Sequence, residues 1–166
     1  MSLPQESFVP FSPTKPKPRI SSGVPFPQAV AHHLIHTLHA HKPYLIVSQS
    51  ISKTQNFVNL KKALNDAEHG LELAGMRFGI SSHTPWDQVL EVVSYARECG
   101  ADALVTLGAG SLTDGGKVAA LVSFYFWLVV LSFFGGGGGM YIEKSRVPRT
   151  ANTNLIPGSR KQRLNV

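Results

Sequence analysis

From residue 20 to residue 120 the apolar pattern switches repeatedly between a helical and a strand period, and this alternation restricts the chain to one kind of architecture. Between Pro27 and His41, Val30, Leu34 and Leu38 fall four apart, with Ala31 and Ile35 beside them. That is one helical face, and Pro43 ends it. Tyr44-Leu45-Ile46-Val47-Ser48 then has the length and composition of a buried strand. Leu60, Leu64, Leu71 and Leu73 outline a broken helical region, interrupted near Gly70 and closed by Gly75. Met76-Arg77-Phe78-Gly79-Ile80 alternates as a second strand. Thr84-Pro85-Trp86-Asp87 predicts a helix start with Thr84 as N-cap and Pro85 at the first position. The helix continues through Val89, Leu90, Val93 and Ala96 to Gly100. Ala103-Leu104-Val105-Thr106-Leu107 is a third strand. Strands separated by helices on short connections require a parallel sheet with helices packed on its faces.

The chemistry lies in the turn after that third strand, Gly108-Ala109-Gly110-Ser111-Leu112-Thr113-Asp114-Gly115-Gly116-Lys117, which opens a predicted helix. Small residues let a backbone approach a pyrophosphate closely. The free N–H groups and positive end of the following helix then hold the anion, and the Ser111 hydroxyl can add a hydrogen bond. The turn follows neither the GxGxxG nor the Walker pattern, and a glycine-rich strand end is also simply a tight turn.

The stretch Gly79-Ile80-Ser81-Ser82-His83-Thr84-Pro85, the helix after it, Gly100 to Leu107 and the glycine turn together resemble the iron-containing alcohol dehydrogenase family. Maleylacetate reductases and glycerol dehydrogenases are related to that family, which has the dehydroquinate synthase-like fold. Its turn has the form GGGSxxDxxK. Gly108, Gly110, Ser111, Asp114 and Lys117 match it, and Ala109 replaces the middle glycine. Ile20-Ser21-Ser22-Gly23 resembles the family's opening strand and turn. The resemblance implies a three-layer, Rossmann-like N-terminal half that binds NAD or NADP through Gly108, Ala109, Gly110, Ser111, Asp114 and Lys117. It places Thr84 beside the nucleotide, and Gln49 or Ser50 where an acidic residue often meets the adenine ribose. A neutral Gln49 does not repel a 2′-phosphate, so NADP is compatible.

The family transfers hydride between a nicotinamide and a small alcohol or carbonyl, with iron or zinc polarising the oxygen. The resemblance implies that one Asp and three His in a second, helical domain bind that metal. After Lys117 this chain has no Asp and no His, so neither catalytic nor metal residues are assigned. His32 and His36, four apart with His39 nearby, read as a polar face of the first helix, and Cys99 and Trp86 as packing residues. A single cysteine excludes an internal disulfide and fits a cytoplasmic, reducing setting.

Three segments result: a disordered tail over 1–19, the NAD(P)-binding domain over 20–120, and an aberrant tail over 121–166. The first favours polyproline II through Pro13, Pro16 and Pro18. Of the net charge of +6, the middle segment carries seven Lys/Arg against eight Asp/Glu, so the excess sits in the tails and does not mark a nucleic-acid surface. In the last segment an apolar run from Leu121 precedes five glycines and a basic end. One account is a truncated enzyme followed by translated intron, because Val122-Ser123 is what a GTRAGT splice donor encodes. The other is a non-catalytic or membrane-tethered protein with one span, because 118–142 holds no charged residue.

Overall fold

The computed structural model describes residues 3–108, 110–123, 127–134 and 137–143. Strands β1 (Ser7–Ser12), β2 (Lys15–Ser22), β3 (Pro43–Val47), β4 (Gly75–Phe78), β5 (Ala103–Leu107), β6 (Trp127–Phe134) and β7 (Gly137–Glu143) form one sheet. The order is β1-β2-β7-β6-β5-β3-β4. The β6, β5, β3 and β4 strands run parallel, whereas β1, β2 and β7 are joined by antiparallel ladders.

Helices α1 (Phe26–His33) and α2 (Gln55–Leu64) cover one face of the parallel strands, and α3 (Trp86–Glu98) and α4 (Ser111–Ser123) the other. Leu45, Val47, Val105 and Leu107 meet Val30, Leu34, Leu60 and Leu64 on the first face. Tyr44, Ile46 and Leu104 meet Val89, Val92, Ala96 and Ala119 on the second. Every residue of β3 and β5 is buried, and each large aliphatic side chain among them contributes about 1.5–3 kcal/mol. This is why the two strands read as continuous apolar runs rather than as an alternation.

The α1 pattern holds with a local change. Steps of four overshoot an α-helical turn by about 40° each, which would carry Leu38 off the face. The chain instead widens into a π-helical turn over Leu34–Leu38, keeping Val30, Leu34 and Leu38 all buried. His39 then takes a left-handed conformation and ends it. The leucine-rich stretch is helical only over α2, which stops at Leu64; a 3-10 turn, Ala67–His69, ends at left-handed Gly70, and Leu71 and Leu73 lie in the connection to β4.

Several expectations are corrected. The tail over 1–19 is not disordered over its described length: residues 7–22 form the β1–β2 hairpin. Prolines there are compatible with strand because the fixed φ lies near the extended region. They fall where the β2–β7 ladder, which spans Arg19 to Ser21, does not reach. The break expected at residue 121 is not seen either. The α4 helix continues to Ser123, and β6 and β7 extend the sheet, with Gly137–Gly139 inside β7. A long apolar run is also what a strand inside a parallel sheet reads like. Residues 124–126, 135–136 and 144–166 of that segment lie outside the described residues. No helix among the described residues is long and apolar enough to cross a membrane. Finally, Thr84 is not the N-cap of α3. Pro85 holds that position, and Thr84 itself is left-handed at φ 50°. Trp86 and Cys99, read as packing residues, are exposed at the two ends of α3.

Candidate functional site

The strand order places a crevice. The chain leaves β3 through α2 on one face to reach β4, then crosses back through α3 on the other face to β5, and continues through α4 to β6. The direction of winding therefore reverses between β3 and β5, whose following loops depart to opposite faces. Open α/β sheets bind ligands at the carboxyl ends of the strands where this reversal occurs. Here the β3 loop supplies Ser48, Gln49 and Ser50, and the β5 loop supplies Gly108 to Ser111. The Ser48 N–H donates to the Leu107 carbonyl at 3.1 Å, so the two loops start from a common ladder end. A Cβ on Gly108 would come within 3.3 Å of the Ser48 Cβ, so glycine sets how closely the loops approach.

Gly110 is left-handed at φ 59°, and no atom would lie within 4 Å of a Cβ added there. It is exposed, and its carbonyl accepts the Asp114 N–H at 3.0 Å, the first turn of α4. The N–H groups of Ser111, Leu112 and Thr113 precede the first intrahelical acceptor and have none within the helix. Ser111 is half-buried at the helix mouth. Asp114 and Lys117 are exposed, with Lys117 about 9 Å further along the helix than Ser111. Gln49 is exposed on the β3 loop. Ala109, matched to the turn by sequence, lies outside the described residues.

A third loop, from Gly79 to Thr84, leaves β4 at the same edge. Gly79, His83 and Thr84 all have positive φ, unusual for a β-branched threonine. The Thr84 hydroxyl donates to the Ser111 carbonyl at 3.2 Å. Ile80 and Thr84 sit over Gly115 of α4, where a Cβ would meet them at 2.5 and 3.1 Å. The structure thus brings Thr84 to the start of α4 through its own left-handed backbone rather than as a helix cap. Gly115 was missed as a site-forming residue. Its signal was available as a glycine inside a helical pattern, which favours close packing.

Among the described residues, no three or more His, Cys, Asp or Glu side chains stand where they could hold a metal ion. His36 and His39 are exposed, whereas His33 is buried against Glu6, a pair that the sequence reading did not single out.

The parallel strands, the helices on both faces and the loops gathered at the reversal point define a three-layer α/β unit of the Rossmann-like class. The chain belongs to the iron-containing alcohol dehydrogenase family, whose sequence profile matches residues 24–155. The likeness therefore does not end near Leu121, as the sequence reading expected. Dehydrogenase FUM7 of Gibberella moniliformis is 40% identical over 123 residues, covering 74% of this chain and 28% of that protein. Dehydrogenase ALT3 of Alternaria alternata is 40% identical over 80 residues, covering 48% of this chain and 20% of that protein. The chain thus spans less than a third of the length of these relatives. Among solved structures, the NADH-dependent butanol dehydrogenase A of Thermotoga maritima superposes with a TM-score of 0.51 at 23% identity, over 60% of this chain and 24% of that one. An iron-containing alcohol dehydrogenase of Thermococcus thioreducens gives 0.50 at 14% identity, over 70% of this chain and 40% of that one. At these identities the two structures support the fold.

Proposed function

We propose that the chain is the nucleotide-binding part of an NAD(P)-dependent oxidoreductase and binds a nicotinamide dinucleotide in the crevice between the β3 and β5 loops. The observation that carries this reading is the glycine turn at the winding reversal, with open space above a left-handed Gly110 and the first turn of a 13-residue helix behind it. A pyrophosphate there gains backbone N–H donors and the positive helix end without a charged side chain. Gly108, Ala109, Gly110 and Ser111 form the cradle. Asp114 and Lys117 line the exposed side of α4, Thr84 closes the wall, and Gln49 meets the adenine ribose. The absence of a carboxylate at Gln49 admits NADP as well as NAD.

The parent reaction is hydride transfer between the nicotinamide and an alcohol or carbonyl carbon in the cytoplasm. The family's metal would polarise the substrate oxygen. The donor set for such an ion is not present among the described residues, so no chemical step is assigned to them.

Calorimetric or fluorescence titration of NADH and NADPH against the full chain tests this, with Gly110→Val alongside. The branched residue strains a left-handed position and fills the space above the turn. Binding by the wild type and its loss in a folded Gly110→Val variant is the expected result. A folded variant that binds as well as the wild type would remove the glycine turn from the site.

A further inference from the structure

The N-terminal hairpin is fastened to α1 by a buried polar cluster that plays no part in nucleotide binding. The side chains of Glu6 and His33 are fully buried, and Nε2 of His33 lies 2.6 Å from Oε1 of Glu6. The same carboxylate accepts from the Ser21 hydroxyl and, at 2.8 Å, from the Leu3 N–H. Because Nε2 faces a carboxylate it carries the proton, and Nδ1 then accepts from the Thr37 hydroxyl at 2.8 Å. Phe8 stacks on the imidazole at 4.2 Å between ring centres, and Arg19 lies over Phe8 at 4.5 Å. Glu6 is delivered to this position by a tight crossing: a Cβ on left-handed Gly23 would sit 2.8 Å from the Gln5 carbonyl oxygen, and Gln5 is itself left-handed.

Chemistry that needs a nucleophile is excluded by the connectivity, since Ser21 donates to Glu6 and not to the imidazole. What remains is a set of bonds that depends on one protonation state. We propose that Glu6, Ser21 and His33 form an acid-released latch that holds the β1–β2 hairpin on α1. With a neutral imidazole every donor in the cluster has an acceptor. A second proton on His33 makes the Thr37 hydroxyl turn from donating to Nδ1 to accepting from it, and places a cation beside Glu6 in a site closed to water, where burial disfavours the added charge. Ser21 lies in the part of β2 that pairs with β7, through Met140, so the latch also fixes where the hairpin joins the sheet.

The direction of titration follows from the surroundings. Burial holds the imidazole below its ordinary value of 6.5, against the opposing pull of Glu6, and His32 adds to the lowering. Burial would raise Glu6, but the hydrogen bonds from Ser21, His33 and the Leu3 N–H outweigh it and hold the carboxyl below 4.5. Among the described residues the charged or titratable groups facing His33 are Glu6, His32 and, across Phe8, Arg19. Both depressed groups stabilise the attached hairpin above their unfolded values, and the stabilisation is lost as pH falls through the folded ones. Release therefore sets in as pH falls below the ordinary imidazole value of 6.5, and protonation of Glu6 adds to it only at pH below 4.5.

Amide hydrogen exchange on the full chain between pH 7.5 and 5.0, corrected for intrinsic rates, reads the latch directly. Residues 3–22 are expected to lose at least about tenfold in protection while β3 and β5 keep theirs. His33→Gln should abolish that pH step. Protection that is flat or rises on acidification overturns the proposal, as does a His33→Gln variant with the wild-type step. Should that variant not fold, the wild-type His33 ring resonance decides: a midpoint below 6.5 that coincides with hairpin release supports the latch, and one above 6.5 refutes it.

Discussion

Gly115→Ala sets two known effects against each other and reports whether the β4 loop is seated on α4. An alanine in a helix interior is favoured over glycine by about 0.8–1 kcal/mol. Its methyl, however, would arrive 2.5 Å from Ile80 Cδ1 and 3.1 Å from Thr84 Cγ2. Ordinary carbon contacts begin near about 3.5 Å, so the isoleucine terminus must retreat by roughly 1 Å and the threonine by a few tenths. Ile80 can move by leaving its rotamer, at about 0.5–1.5 kcal/mol. Thr84 has less freedom, being β-branched, left-handed and tied to Ser111 by its hydroxyl. Overpacking of this kind costs about 1–3 kcal/mol. The net expectation is a loss of about 0–2 kcal/mol, with faster exchange at residues 79–85. Urea denaturation gives the first quantity and hydrogen exchange the second. In an Ile80→Ala background the larger clash is gone, and the same glycine replacement should become neutral or stabilising. A single Gly115→Ala variant that gains the full helical increment, with unchanged exchange in the loop, would show that Ile80 and Thr84 do not rest on the helix.

Three further outcomes are expected. Thr106→Val should stabilise the protein by about 1 kcal/mol, because the Thr106 hydroxyl is buried in β5 without a hydrogen-bond partner among the described residues; a lower Tm would mean that the hydroxyl is paired. Gln49→Asp should weaken NADPH binding about tenfold more than NADH binding at low salt, through repulsion of the 2′-phosphate, and equal loss for both would move Gln49 away from the ribose. Ser111→Ala should weaken either nucleotide by about 0.5–1.5 kcal/mol, or roughly twice that if the hydroxyl meets a charged phosphate oxygen, and unchanged affinity in the titration would detach Ser111 from the anion.

The parallel half of the fold was legible because β3, β5, α1 and α3 carry strong, single-period patterns, and Gly70 and Gly100 mark real left-handed breaks. The hairpin was not legible because Pro16 and Pro18 look the same in a polyproline tail and in a strand beyond its ladder. The extension through β6 and β7 was hidden by a composition that suits an inner strand and a membrane span equally. At the site, the turn could be read because its spacing is specific. Thr84 was read both as a helix cap and as a residue beside the nucleotide, since threonine before proline signals a cap wherever the backbone is unstrained. His33 was passed over because it shares a short stretch with exposed His36 and His39, and nothing local marks Glu6, distant in sequence, as its partner.

The β2–β7 ladder has a consequence for synthesis. Arg19, Ile20 and Ser21 leave the ribosome early, yet their partners Ile142, Tyr141 and Met140 follow on the order of a hundred residues later. At about 5–20 residues per second, that edge of the hairpin waits several seconds or more without its neighbour. An unpaired edge is a template for the wrong strand, from this chain or another. The waiting strand is guarded by its own composition: Lys15, Pro16, Lys17 and Pro18 alternate a charge with a residue that has no N–H to offer. Only the short stretch after them is open to pairing, which keeps the early-born strand available for its late partner.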